Sequence, residues 1–202
     1  EMPLPAYIDR EPTLADKETY QCVFANDKYL ASIAPPTAGL HFTESLLEKI
    51  EEKGVRIAKI ALNIGQGIFE NIDVEDLTKH RMYSEYFEIS RETAEIINKS
   101  LKSKKNVFAV GTSVVRALES SVLTSGTVKP NKGWTDKFIY PQYEFKIANK
   151  FITNFHQPAS PSLLLSAAFA GKEKLFETYE YACLLYTSDA ADDLLCVDLG
   201  GR

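Results

Sequence analysis

Residues 107–122 read Val-Phe-Ala-Val-Gly-Thr-Ser-Val-Val-Arg-Ala-Leu-Glu-Ser-Ser-Val, and this stretch decides the fold. The apolar run at 107–110 predicts a buried strand, and the small residues at 111–113 predict a tight loop. The stretch at 114–122 then repeats apolar residues at helical spacing and predicts a helix. A strand, a tight loop and a helix in this order form the repeating unit of α/β proteins.

The same unit occurs on both sides of this stretch. Upstream, residues 29–34 predict a strand and 44–53 a helix, with Thr43 as its N-cap and Gly54 at its end. The downstream unit consists of a strand at 151–155, a loop at 156–160 and a helix that starts at Pro161 and stops at Gly171. The remaining predicted elements are a strand at 55–64, a helix at 91–101 capped by Ser90, a surface loop at 124–133, and short strands at 138–140 and 145–147. Because strands alternate with helices, we expect an α/β fold with a mostly parallel sheet built from strand–loop–helix units.

Composition bounds the class of protein. The chain has 202 residues, 45% of them hydrophobic and 25% charged, which are ordinary values for a globular protein of one domain or slightly more. The cysteines (Cys22, Cys183, Cys196) form no CxxC pair and the histidines lie far apart, so neither a disulfide framework nor a metal site is expected. No apolar run is long enough to span a bilayer. A net charge of -5 does not by itself indicate a nucleic-acid binder.

Three strand-to-helix loops, at 34–42, 111–113 and 153–158, hold the unusual residues. In open α/β sheets such loops meet at the carboxyl edge of the sheet, where ligands bind. We therefore expect these loops to converge on one cleft that His41 and Asn154 both line.

The first loop, at 34–42, combines a Pro- and Gly-containing turn before a helix with a histidine. Pro36, Thr37 and Gly39 could present backbone N–H groups to a ligand, although any Pro/Gly turn has this composition. His41 and Phe42 follow at a helix start, where an imidazole suits acid–base chemistry and an aromatic ring suits base stacking. The alternative for His41 is a capping or half-buried structural histidine.

Two further segments offer polar groups at the start of a strand or a helix. His80 and Glu85 bring an imidazole and a carboxylate close together in sequence, and a solvated charged segment is the alternative. Gly111 and Thr112 form a small-residue turn at a helix N-terminus, which suits an anion or a hydroxyl-rich ligand. Arg116 and Glu119 follow at i, i+3 spacing, and the alternative for this couple is a simple pair on one helix.

The sequence Thr153-Asn154-Phe155-His156 is the sharpest local signal. Strand interiors disfavour Asn, so a hydrogen-bond partner is expected for its amide. A functional site or a purely structural network would each supply one.

Taken in order, these segments resemble the S-adenosylmethionine:tRNA ribosyltransferase-isomerase family of queuosine biosynthesis. The matching strings are MPLPAYI at 2–8, DKETYQ at 16–21, APPTAGLHF at 34–42, GQG at 65–67, HRMYSE at 80–85, AVGT at 109–112 and TNFHQP at 153–158. The resemblance covers residues 1–182, which it identifies as the α/β catalytic portion. Residues 183–202 do not follow the family and are interpreted as a non-native or divergent tail that packs poorly on the body. The family's β-barrel region would precede residue 1.

The resemblance implies a definite activity. The family transfers and isomerises the ribosyl part of S-adenosylmethionine onto 7-aminomethyl-7-deazaguanine in tRNA, giving epoxyqueuosine, adenine and methionine. It implies S-adenosylmethionine as co-substrate, no metal, a tRNA carrying the queuosine precursor as partner, no membrane association, a cytoplasmic location and a monomer. The alternatives are another S-adenosylmethionine-dependent RNA-modifying enzyme, such as a methyltransferase, or an inactive tRNA-binding fragment.

The resemblance also implies roles for individual residues. His41 and His156 would act as acid and base, Glu85 would face the amine or the sulfonium, and Asn154 would orient the base or adenine. The substrate-binding set is Pro36, Thr37, Gly39, Phe42, Gly65, Gly67, His80, Gly111, Thr112, Arg116, Glu119, Thr153 and Phe155. In this set, Arg116 would hold the methionine carboxylate or a tRNA phosphate, and the two phenylalanines would stack on a base.

The chain departs from the family pattern inside three motifs. The family's LHVGxGTF reads LNIGQGIF at 62–69, its HxMHxE reads HRMYSE at 80–85, and its GTTSVR reads GTSVVR at 111–116. No essential role is therefore assigned to Asn63 or Tyr83.

Overall fold

The computed structural model describes residues 4, 8, 10–26 and 31–185 of the chain. The helices are α1 (Asp16–Thr19), α2 (Glu44–Glu52), α3 (Arg91–Lys102), α4 (Thr112–Ser120), α5 (Pro161–Ala170) and α6 (Lys172–Leu185). The strands are β1 (Ala61–Asn63), β2 (Glu85–Ile89), β3 (Phe108–Val110), β4 (Asn131–Thr135) and β5 (Lys150–Ile152). Short 3₁₀ helices cover Thr37–His41, Gln66–Phe69 and Leu77–Lys79.

The chain divides into two compact units. Unit 1 comprises Glu1–Gly67, Tyr83–Lys137 and Phe145–Asn154. Unit 2 comprises Ile68–Met82, Phe138–Glu144 and Phe155–Arg202.

Unit 1 contains an antiparallel sheet of three strands in the order β1-β2-β4. In the central strand β2, buried residues alternate with partly exposed ones, and Phe87 and Ile89 are each 2% exposed. This alternation is what a strand shows when one face of its sheet packs on a core and the other faces outward. Glu85 also points to the buried face and is 6% exposed.

Unit 1 also contains a parallel pair, β3 with β5. Ala109 lies opposite Phe151, and the N–H of Gly111 donates to the carbonyl of Ile152 at 2.9 Å. Because the strands are parallel, the loops that follow them leave from the same edge. This pair therefore brings the segment at 111–113 beside the segment that begins at Thr153.

The helices of unit 1 follow local signals closely. The Thr43 side chain caps α2 by accepting from the N–H of Leu46, and Gly54 adopts a positive φ of 79° after its end. The Ser90 side chain caps α3 in the same way, through the N–H of Thr93. Capping depends only on neighbouring residues, so these predicted helices are confirmed within one residue.

Unit 2 contains α5 and α6. Pro161 lies in the first turn of α5, the Ser160 side chain caps it, and Gly171 ends it at a φ of 86°. Leu184 and Leu185, at the end of α6, are exposed. The rest of the predicted tail, from residue 186 onward, lies outside the described residues.

The expected α/β class is confirmed, but the expectation of a mostly parallel sheet is wrong. Only β3 and β5 pair in parallel among the described strands, and the larger sheet is antiparallel. The antiparallel sheet was missed because β4 is polar and alternates between exposed and less exposed positions. Its first residues were therefore assigned to the predicted surface loop at 124–133.

The other predicted strands differ in length or are absent. The strand predicted at 55–64 is reduced to Ala61–Asn63, and residues 31–34, the described part of the strand predicted at 29–34, form a turn and a bend instead of a strand. Residues 138–140 and 145–147 do not form strands. Within the described residues, no helix combines the length and apolar character needed to cross a bilayer.

Candidate active site

Glu85 and Arg116 form a buried ion pair in unit 1. Their side chains are 7% and 8% exposed, and Arg116 Nη1 donates to Glu85 Oε2. The guanidinium also donates through Nε to the carbonyl of Lys137 at 2.9 Å and through Nη2 to the carbonyl of Thr135 at 3.3 Å. Each guanidinium nitrogen of Arg116 therefore donates to another group of the protein. In this conformation the guanidinium neutralises the Glu85 carboxylate.

The second oxygen of Glu85 joins this pair to the glycine-rich segment. Oε1 accepts a hydrogen bond from the N–H of Gly65 at 3.2 Å. Gly67 is buried, and a Cβ added to it would lie 2.9 Å from Tyr83 Cβ, so a side chain does not fit there. The sequence GQG is thus needed for close packing beside the carboxylate.

Glu119 lies one helical turn after Arg116 but serves a different contact. It is 2% exposed, and its carboxylate accepts from the N–H groups of Lys146 and Ile147 at 3.0–3.1 Å. The predicted i, i+3 pair is therefore replaced by two long-range contacts: Arg116 binds Glu85, and Glu119 holds the segment that leads into β5. This makes Glu119 an anchor of the loop edge.

His41 and Asn154 meet although they lie 113 positions apart. Asn154 Nδ2 is 3.2 Å from His41 Nε2. With the amide nitrogen as the donor, Nε2 is the acceptor in this contact. Among the described residues, Asn154 Oδ1 is buried and has no hydrogen-bond partner. The pair therefore offers an oriented imidazole beside an unused amide acceptor.

The loop at 34–42, which carries His41, packs against the ring of Phe24. A Cβ added to Gly39 would lie 3.1 Å from Phe24 Cδ2, so the backbone packs tightly on this ring. The Phe24 and Phe42 rings are 5.9 Å apart and tilted. Pro36 and Thr37 begin the short 3₁₀ helix that ends at His41. This packing determines where the imidazole is held.

The start of α4 lies at the same edge as the His41–Asn154 pair. Gly111 adopts a φ of 95° as the residue before the helix, and Thr112 is its first residue. Such a φ favours glycine because a Cβ would be strained there. Through the β3–β5 pairing, this turn neighbours Thr153, which precedes Asn154. That this edge forms a ligand cleft stays a prediction.

His156 and Phe155 belong to unit 2, where Tyr179 of α6 holds them. The His156 N–H donates to the Tyr179 hydroxyl at 2.7 Å, and the Phe155 and Tyr179 rings meet edge to face at 4.8 Å. Burial lowers the pKa of His156 to about 4 and raises the pKa of Tyr179. His156 is therefore a neutral imidazole at neutral pH.

His80 is also in unit 2 and stacks on Phe138, with ring centroids 4.7 Å apart. The segment at 80–85 is thus divided: His80 packs on an aromatic ring in unit 2, whereas Glu85 is buried in unit 1. The two side chains predicted as one constellation have separate surroundings. Within the described part of the chain, no group of three or more His, Cys, Asp or Glu side chains could hold a metal ion.

Sequence patterns do not single out several groups that complete these arrangements. Tyr179 supplies the hydroxyl next to His156, and the carbonyls of Thr135 and Lys137 complete the shell of Arg116. Backbone carbonyls carry no residue-type signal, and Tyr179 lies in α6, a helix that the sequence patterns do not predict. Only the folded chain reveals them.

Comparison with known proteins gives a consistent result. Residues 1–184 match the sequence model of the family described as "Queuosine biosynthesis protein". The S-adenosylmethionine:tRNA ribosyltransferase-isomerases of Cytophaga hutchinsonii and of a Sulfurihydrogenibium species are 50% and 53% identical over 182 and 181 residues. Each match covers 90% of this chain and 52% of the relative, so the chain spans about half the length of these curated relatives.

A solved structure supports the same assignment. The crystal structure of an S-adenosylmethionine tRNA ribosyltransferase from Thermotoga maritima is 38% identical in sequence, with a TM-score of 0.56. The match covers 72% of this chain and 45% of that protein. With a family match over residues 1–184 and relatives at about half identity, the chain belongs to the family of queuosine biosynthesis proteins.

Proposed function

We propose that this chain forms the catalytic α/β portion of an S-adenosylmethionine:tRNA ribosyltransferase-isomerase. The observation that carries the proposal is the His41–Asn154 contact beside the edge where β3 and β5 end. It joins two of the family motifs, APPTAGLHF at 34–42 and TNFHQP at 153–158. The co-substrate would be S-adenosylmethionine, the partner a tRNA with 7-aminomethyl-7-deazaguanine, and the location the cytoplasm, with the protein a monomer.

The proposed reaction needs three proton movements. The sulfonium of S-adenosylmethionine acidifies the C5′ hydrogens, and a base must remove one. Adenine must leave, which an acid near its ring nitrogens favours. The aminomethyl group must lose its proton before its nitrogen can attack the sugar. Each well-placed proton transfer contributes about 10²–10⁴-fold to the rate.

The two histidines differ in what they can contribute. His156 is neutral at neutral pH because burial lowers its pKa to about 4, so we assign it the role of proton acceptor. His41 is exposed and is held by Asn154, so we assign it a proton transfer at the adenine or at the amine. The free Oδ1 of Asn154 would accept from an amino group of the substrate.

Glu85 is proposed to supply a buried negative charge beside the substrate. In the conformation described, Arg116 neutralises it and Gly65 donates to it. A cationic sulfonium or amine that binds near Gly65 would be attracted to the Glu85 carboxylate and would compete with Arg116 for it. The other proposed binding positions are Pro36, Thr37, Gly39, Phe42, Gly67, His80, Gly111, Thr112, Glu119, Thr153 and Phe155.

The test is a product assay with S-adenosylmethionine and precursor-bearing tRNA. Because the chain spans about half the length of its relatives, the assay uses both the chain alone and the chain joined to the part of the Cytophaga hutchinsonii relative that it does not cover. We expect free adenine and methionine, and His156→Ala should lower adenine release by at least about 10²-fold. Glu92→Gln, an exposed change on α3, is the matched control and should release adenine at the parental rate.

The product separates this proposal from its alternatives. S-adenosylhomocysteine in place of adenine would identify a methyltransferase and overturn the proposal. Binding of tRNA by the joined protein without either product would leave only a tRNA-binding role. Parental turnover in the His156→Ala variant would return His156 to a structural role.

A further inference from the structure

A row of three side chains crosses the outer face of the antiparallel sheet in unit 1. Asn63 of β1 lies opposite Tyr86 of β2, and Tyr86 lies opposite Trp134 of β4. Residues directly opposite each other in a sheet project from the same face. This amide–aromatic row therefore consists of one amide and two aromatic rings, side by side.

The two rings form a platform that is open to solvent. Trp134 is 70% exposed, and the Tyr86 and Trp134 rings meet edge to face with centroids 5.8 Å apart. The edge of one ring packs against its neighbour, which leaves a large aromatic surface of Trp134 uncovered. A tryptophan in this position contributes little to the core and is available for stacking.

The third member of the row has an unused polar atom. Within the described residues, Asn63 Oδ1 is buried and accepts no hydrogen bond. A buried amide oxygen without a partner costs free energy unless a ligand supplies a donor. A nucleobase offers a partner to both groups: a flat face that can stack on the Trp134 ring and an amino group that can donate to Asn63 Oδ1.

We propose that the amide–aromatic row binds an unpaired RNA base of the substrate, with Trp134 stacking on the base and Asn63 Oδ1 accepting from its amino group. This inference rests on the proposed function, since it names the part of the tRNA that unit 1 contacts. Sequence-specific RNA recognition commonly uses single-stranded bases that stack on aromatic side chains of a sheet. A base in the anticodon loop, next to the base to be modified, has the required chemistry.

The position of the row favours RNA over a protein partner. The next pair of residues along the sheet is Glu85 and Thr135, and Arg116 binds the side chain of the first and the carbonyl of the second. Their side chains point to the opposite, buried face, so the backbones of β2 and β4 separate the row from the Glu85–Arg116 pair. The face of the row also carries the opposed charges of Glu88 and Lys132. Two rings bounded in this way are too small for a protein interface, which buries about 800 Å² per partner, but they match one base.

Trp134 is the only tryptophan in the sequence, so its fluorescence reports directly on the row. The experiment titrates the chain with an unmodified anticodon stem–loop RNA and, separately, with a fully paired RNA duplex of the same length. We expect the stem–loop to quench the emission and the duplex to leave it nearly unchanged. Emission that is unaffected by the stem–loop, or quenched equally by both, would overturn the proposal.

Substitutions test the stacking independently of fluorescence. Anisotropy of a labelled stem–loop should show about 5- to 150-fold weaker binding for Trp134→Leu, the range for loss of one base–aromatic stack. Trp134→Phe keeps a ring and should retain most of the affinity. Phe108→Leu is the matched control, because Phe108 is 56% exposed on β3 and lies outside the row. Equal binding by the Trp134→Leu variant and the unmodified chain would refute the stacking role.

The outcome is separable from that of the proposed function. Quenching by the stem–loop without adenine release would sustain the row as an RNA site while the catalytic proposal fails. Adenine release without any effect of the stem–loop on Trp134 emission would support the catalytic proposal and overturn the RNA site on the row. Concentration-dependent shifts of the emission without RNA would show that another protein surface covers Trp134, and would also overturn the RNA assignment.

Discussion

Replacing Arg116 by methionine removes the cation that faces the buried Glu85 carboxylate. Both side chains are less than a tenth exposed, so water cannot substitute for the lost guanidinium. Removing one partner of a buried ion pair costs about 3–5 kcal/mol, because the remaining charge is left without compensation. Arg116→Met also removes the donors to the carbonyls of Thr135 and Lys137, which places the expected loss of unfolding free energy near the upper end of this range.

A double-mutant cycle distinguishes the pair from the packing of each side chain. Glu85→Met alone leaves a buried guanidinium and should cost about as much as Arg116→Met. The variant with both substitutions should lose much less than the sum of the single losses, by at least about 3 kcal/mol, because neither charge is then left unpaired. The two changes exchange polar groups for an apolar residue that fills a similar volume.

The assay is urea unfolding monitored by Trp134, which lies in unit 1 with the pair. Arg91→Met, an exposed change at the start of α3, is the matched control and should alter the unfolding free energy by less than about 0.5 kcal/mol. High salt should change the measured coupling little, since buried pairs are weakly screened. A loss below about 1 kcal/mol for Arg116→Met, or additive losses in the double variant, would refute this reasoning.

Two further predictions concern His156 and Glu119. The pKa of His156 is about 4 in the folded chain against an ordinary value of 6.5, so the unfolded chain binds the proton first and stability should fall by up to about 3 kcal/mol as pH drops from 6.5 to 4. His156→Gln should flatten this slope in urea titrations across that range, and an unchanged slope would contradict the assignment. Glu119→Gln turns one acceptor oxygen into an amide donor that faces the N–H groups of Lys146 and Ile147, and should cost about 2 kcal/mol in the same assay. A loss within about 0.5 kcal/mol would show that these N–H groups find other acceptors.

Ordered motifs in the sequence were enough to identify the family. Each short string is weak because turns with Pro, Gly and small residues are common, but their order and spacing are not shared by chance. The match over residues 1–184 confirms this identification. The departures at Asn63 and Tyr83 are also visible only in the sequence, because they are differences from a family pattern.

The sequence by itself determined the features that depend on neighbouring residues. The caps at Thr43, Ser90 and Ser160 and the stops at Gly54 and Gly171 are correct, because a capping hydroxyl or a positive φ acts within a few residues. Four helices, α2 to α5, were therefore predicted within two residues, whereas α1 and α6 were not predicted.

Only the tertiary structure decided the partners that are distant in the chain. Glu85 finds Arg116 31 positions away, and His41 finds Asn154 113 positions away. Strand pairing is of the same kind, since the local pattern of β4 does not reveal that it pairs antiparallel to β2. The period of a strand reports which side chains share a face, but not which strand lies next to it. The physical reason is that pairing is chosen by the free energy of the whole core, in which burial of side chains such as Phe87 and Ile89 outweighs the local preference of any one segment.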